Sequence, residues 1–259
     1  MNNLWMNSSS DEEELQCGLN ANKRIKKYKL RINFNFENCA EFQERFRMSP
    51  LKTEQLLQEI GWRLEHRTNK GGALSPKQQL CVALHWFGSG AQYHIIGDMH
   101  GINKSTVCRA VANVVRVINR HLFNKIVSWP ANIGEVLEIF YEVANFPQVC
   151  GVIDGSLIPI DAPTVNEEAF VDRKAYPLKQ WLMTPLHHDP NNEAERRYNR
   201  RLKATRQVIE RSIGILKEKF PCLNHLRVNP VYACNVVKCC ASLCNYARLG
   251  EAEDGNSYS

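Results

Sequence analysis

Two carboxylates carry the chemistry this chain offers. Val149-Cys150-Gly151-Val152-Ile153-Asp154-Gly155-Ser156 is apolar and β-branched-rich, and it reads as a short buried strand that ends on Asp154. Downstream, Arg206-Gln207-Val208-Ile209-Glu210-Arg211-Ser212-Ile213-Gly214 sets Glu210 on a basic helix. Acids presented from a strand end and a helix suit a divalent metal acting on phosphodiesters. Only 56 positions separate them (210 − 154). That is short for the sheet such a site sits on, so the same pair both proposes a nuclease and counts against one. A lone glutamate on a basic helical face also has an ordinary reading, as an ion-pair partner.

No other chemistry competes strongly. No serine–histidine–acid order is persuasive, and no glycine fingerprint for a nucleotide is present. His187, His188 and Asp189 have metal-ligand types, but they lie in a proline–asparagine loop. Cys234, Cys239, Cys240 and Cys244 lack the close pairing of zinc sites and read as small buried helix residues.

The bulk composition sets the frame. The chain has 259 residues, 44% hydrophobic and 23% charged, an ordinary globular makeup for one or two domains. Ten cysteines without an export signal read as free thiols in a reducing compartment. No apolar run approaches the roughly 18 residues of a membrane helix, so no membrane association is expected. Net charge is +6, and its distribution says more than its sign.

Residues 1–40 read as a polar tail. Within it Lys23–Arg31 holds six basic residues in nine, either a solvated charge run or a nuclear-import or DNA-backbone arm. Residues 41–145 read as helical, beginning with two short amphipathic helices marked by Phe42, Phe46, Leu51, Leu56, Leu57, Ile60 and Leu64. Ser75 and Pro76 open the next helix at its N-cap and first turn, and Gly88-Ser89-Gly90 closes it.

Residues 91–122 form the clearest local motif. A helix over about 92–99 turns Ile95 and Ile96 inward, and His100-Gly101-Ile102-Asn103 makes a tight turn. Asn103 or Ser105 can cap the following helix, 104–122. Its Val107, Ala110, Val111, Val114, Val115 and Ile118 form an apolar stripe opposite Lys104, Ser105, Arg109, Asn113, Arg116 and Arg120. This is the helix-turn-helix pattern, with Lys104, Ser105, Thr106 and Arg109 nearest DNA; a plain helical hairpin is the alternative.

Residues 148–163 read as a β-hairpin, Val149–Ile153 running out and Leu157–Ile160 running back. A hairpin is marginal alone and needs partners. Residues 193–220 are strongly helical, with a seam of Leu202, Thr205, Ile209, Ile213, Leu216 and Phe220. Between 193 and 227, ten Lys/Arg face four Glu. Arg196, Arg200 and Lys203 on this helix are candidates for DNA-backbone contacts. A cysteine-rich apolar helix over about 230–249 follows.

Gly151–Ile160, Ala175-Tyr176-Pro177-Leu178, and Glu195-Arg196-Arg197-Tyr198-Asn199 followed by Thr205–Gly214 together resemble the Harbinger (PIF) transposase family. The resemblance covers about residues 40–250. It implies an α/β fold: an all-helical helix-turn-helix region, then a shortened RNase H-like (DDE transposase) core over 146–250, with 251–259 a tail. It implies a divalent-metal-dependent DNA nuclease whose Asp-Asp-Glu triad holds Mg²⁺ or Mn²⁺, with Asp154 as first acid and Glu210 as third. It also implies a Myb-like protein partner and residence in nucleus and cytoplasm; the oligomeric state is left open.

The chain departs from the pattern at one point. The family's second Asp lies just before the Tyr-Pro-Leu stretch. Here Ala175 follows Val171-Asp172-Arg173-Lys174 directly, and Asp172 stands at the wrong spacing. The block that would carry further strands, a helix and the second acid is missing. The expectation is a family nuclease with impaired cleavage; the alternative is a catalytically inactive DNA-binding or scaffolding derivative.

Overall fold

Capping side chains set where the first helices begin. In the computed structural model, which describes residues 31, 38–66, 72–161, 179, 181–186 and 192–249, α1 (Cys39–Phe46) starts behind Asn38 and α2 (Pro50–Leu64) behind Ser49. Each of these side chains accepts a first-turn amide that the helix itself cannot satisfy. Helix α3 (Pro76–Ser89) has a full capping box: the Gln78 amide donates to Ser75 Oγ at 3.2 Å, and the Ser75 amide to Gln78 Oε1 at 3.1 Å. Gly90, left-handed at φ 64°, ends it as expected. Most of Lys23–Arg31, together with Asp172, Ala175–Leu178 and His187–Asp189, lies outside the described residues.

Helix α3 is buried on every side from Gln79 to Gly88, so it is the axis of the molecule. Against it pack α1, α2 and α5 (Lys104–His121), the last leading from α4 (Tyr93–His100). The expected stripe Val107, Ala110, Val111, Val114, Val115 and Ile118 is buried along α5. The short α6 (Phe123–Ile126) and α7 (Ile133–Ala144) come next, then the 27-residue α8 (Glu193–Lys219). After it, a 3₁₀ turn (Pro221–Asn224) and α9 (Pro230–Arg248) return to α3 and α5. One apolar cluster therefore joins the first five helices to the last, with Phe87 and Phe220 edge to face at 6.2 Å. Each such fully buried side chain contributes about 1.5–3 kcal/mol. Gln79, polar within this core, is satisfied: it donates to Leu64 O at 2.7 Å and accepts from Asn113 at 2.8 Å.

The expected α/β class is wrong for the described residues. They contain no sheet, only isolated bridges Ile160–Leu226 and Lys179–Leu182. Val149–Ile153 and Leu157–Ile160 do not form a hairpin. A strand's backbone groups must be paired by neighbours, and no described segment supplies them. The segment runs extended beside α8 instead, with one backbone bond, Leu226 N–H to Pro159 O at 2.8 Å. The RNase H-like core expected over 146–250 is thus replaced, where described, by helices and extended chain.

Smaller expectations also shift. Leu51 is 68% exposed and Ile95 43% exposed, so neither faces the core. Asn103 holds the N-cap position of α5 without a side-chain cap bond. Of the α8 seam only Leu202, Thr205 and Phe220 are buried. Ile209, Ile213 and Leu216 are half-covered, because α7 and the extended segment shield only part of that face. Among the clustered cysteines, Cys239, Cys240 and Cys244 are buried and Cys234 is exposed.

A buried histidine pair ties α4 to α3. His85 Nδ1 and His100 Nε2 lie 2.9 Å apart. Burial, then the nearby Arg45 charge, pushes His85 down to about 4. Burial, then His85 and Arg45, pushes His100 down to about 3. Both folded values lie below the unfolded one, so the unfolded chain takes up more protons as pH drops. The pair's stabilisation is complete above about pH 6.5 and is lost as pH falls toward about 4. Unfolding free energy from urea titrations should fall on the order of 3 kcal/mol between pH 7 and 4.5. His100→Gln should make that slope shallower; an unchanged slope would remove the pair as its source.

Candidate functional site

Asp154 and Glu210 reach one place, from the extended segment and from α8. Arg206 stands between them. Its Nη2 donates to Asp154 Oδ1 at 3.0 Å and lies 3.6 Å from Glu210 Oε1. Both carboxylates meet the same nitrogen, so their oxygens are no farther apart than those two distances together. The Gly155 amide also donates to Asp154 Oδ1 at 3.0 Å. The Asp154 side chain is 20% exposed and that of Glu210 53%. The Arg206–Glu210 contact is an exposed i,i+4 pair worth about 0.3–0.5 kcal/mol; the less exposed Asp154 contact weighs more. The ion-pair reading of Glu210 therefore describes its surroundings.

A two-metal centre needs a bridging carboxylate and further acids to neutralise two divalent ions. The donor set here does not fit one. Among the described residues no group of three or more His, Cys, Asp or Glu comes together as a metal site. The cation between the two acids is a guanidinium, and no cleavage step follows from this arrangement.

The candidate DNA residues fall on two helices. Lys104, Ser105 and Arg109 are exposed on the first turns of α5, with Thr106 half-buried among them. Arg109 Nη2 reaches Thr106 Oγ1 at 3.5 Å. Arg116 and Arg120 continue the exposed basic side. On α8, Arg196, Arg200 and Lys203 are exposed, and Arg196 is partly engaged by Glu193 at 2.8 Å.

Two participants escape a reading of the sequence. Arg206 is legible as an i,i+4 partner of Glu210, but its bond to Asp154 spans 52 positions. Lys217 Nζ donates to Leu157 O at 2.8 Å, a second tie between α8 and the extended segment that no spacing announces.

Comparison with known proteins points one way. A family model described as "DDE superfamily endonuclease" matches residues 163–245, which include Glu210 and begin just after Asp154. Proteins named "putative nuclease HARBI1" from Bos taurus and Homo sapiens are 26% identical over 254 aligned positions, covering 73% of this chain and 72% of each relative. The Xenopus laevis protein of that name is 24% identical over 258 positions, 75% of this chain and 74% of its own. No solved structure matches the chain. Since 73% of 259 residues is about 189, about 65 of the 254 aligned positions (254 − 189) hold a residue of the cattle relative and none of this chain. The chain thus carries a DDE superfamily endonuclease match over residues 163–245 and is similar, at 24–26% identity over most of its length, to proteins named putative nuclease HARBI1.

Proposed function

We propose that this chain binds double-stranded DNA through two basic helical surfaces and that the metal-dependent cleavage of its family is impaired in it. The observation that carries the proposal is the guanidinium shared by Asp154 and Glu210, which no third acid among the described residues joins in a metal-binding group. The roughly 65 aligned positions without a counterpart here support it, in keeping with a core that has lost its second acid. That same geometry favours the second reading, a DNA-binding or scaffolding derivative that does not cut.

For the DNA half, α4 and α5 act as a helix-turn-helix. Lys104, Ser105, Thr106 and Arg109 enter the major groove at the start of the second helix, where base edges are read. Arg196, Arg200 and Lys203 on α8 meet phosphates, which adds affinity without sequence preference. Asp154 and Glu210 keep their family positions, and this chain's residues assign them no proton transfer or nucleophile activation.

Fluorescence anisotropy with duplexes of differing sequence tests the reading. Arg109→Ala should reduce discrimination between sequences by about tenfold, since a good base contact is worth about 1–3 kcal/mol. Arg200→Ala or Lys203→Ala should weaken all duplexes alike and lower the salt slope by about 1. Equal loss on every sequence from Arg109→Ala would remove it as a base reader. No DNA binding by the wild-type chain at low salt would sink the proposal.

A further inference from the structure

We infer that Arg206 is a built-in cation: its guanidinium, rather than a metal ion, holds Asp154 and Glu210 together and fastens the extended segment 149–160 to α8. Asp154 is the least exposed acid of the pair, and a carboxylate so placed is costly to leave without a positive partner. Two carboxylates this close repel one another, and a planar guanidinium that faces both removes the repulsion.

The anchoring has a register. Asp154 meets Arg206, the Leu157 carbonyl meets Lys217, and the Pro159 carbonyl meets the Leu226 amide. The extended chain and the C-terminal chain advance together through these three ties. Ile158 and Ile160, at the end nearer Leu226, also pack on the apolar cluster. At the other end Ile153 is 55% exposed, so Arg206 is the tie at the open end. With no sheet among the described residues, Asp154 is kept in place through a side chain of α8.

A divalent ion would have to displace a cation already neutralising both acids. The segment's order should therefore be indifferent to metal and sensitive to Arg206. This holds whether or not the chain binds DNA, and its failure would leave the DNA reading intact.

Hydrogen exchange of the full chain tests it, comparing wild type, D154N, R206Q and the double variant. Either single substitution should speed exchange of the Gly155 amide, which donates to Asp154 Oδ1, by about tenfold, the scale of a lost charge-assisted hydrogen bond. The double variant should be no faster than the faster single, because both remove the same contact. R206K, which keeps the charge and loses the fork, should fall between, and this milder variant reads the contact even where R206Q fails to fold. Millimolar Mg²⁺ or EDTA should leave the wild-type rates unchanged. Additive effects of D154N and R206Q would overturn the inference. So would Mg²⁺-dependent protection of the segment that D154N abolishes.

Discussion

Replacing Gly97 with alanine is expected to pull α4 away from the turn that leads into α5, and to take DNA binding with it. A Cβ at this position would lie 2.6 Å from the carbonyl oxygen of Ile102 and 3.4 Å from the amide nitrogen of Lys104. Both are backbone atoms, so no side chain can swing aside. The contact exists because the Ile102 amide donates to Gly97 O at 2.8 Å, folding the turn tightly against the end of the helix. Gly101, at φ 65°, supplies the reversal. Inserting a methyl group into such a contact costs about 1–3 kcal/mol. A urea titration should show that loss, and anisotropy should show affinity falling for every duplex, because Lys104 to Arg109 leave their bearing. Unchanged stability would contradict the close approach. Lost stability with full DNA affinity would remove α5 as the reader.

The second large effect is on salt. Lys104, Arg109, Arg116 and Arg120 on α5, with Arg196, Arg200 and Lys203 on α8, are exposed and could neutralise about six phosphates. Each neutralised phosphate releases counterions, so affinity should fall by about 10³-fold or more between about 50 and 200 mM salt. The Arg200→Ala/Lys203→Ala double variant should bind more weakly at low salt with a shallower slope. A flat salt dependence would mean that the basic faces are solvated charge and nothing more.

The helices were legible because their signals are local. Ser75, Pro76 and Gln78 announce a start within four residues, and the valine-rich stripe of α5 repeats at helical spacing. The fold class was not legible for the opposite reason. Val149–Ile153 has the composition of a strand, but a strand exists only where neighbours take its hydrogen bonds, and composition does not report neighbours. Leu51 and Ile95 show a milder form of this: each is an apolar residue on a helix whose other face won the core. The same limit governed the site. Asp154 and Glu210 were recognisable by type and motif, whereas the guanidinium between them depends on a contact across 52 positions. No spacing pairs His85 with His100 for the same reason, since only the packing of α4 on α3 makes them partners.

The most direct test follows a supercoiled plasmid with Mg²⁺ or Mn²⁺ present, scoring binding and nicking in the same samples. At low salt and saturating protein, the plasmid should be fully bound and remain supercoiled. Nicking that disappears in both Asp154→Ala and Glu210→Ala would show that these two acids still cut DNA, and would contradict the account.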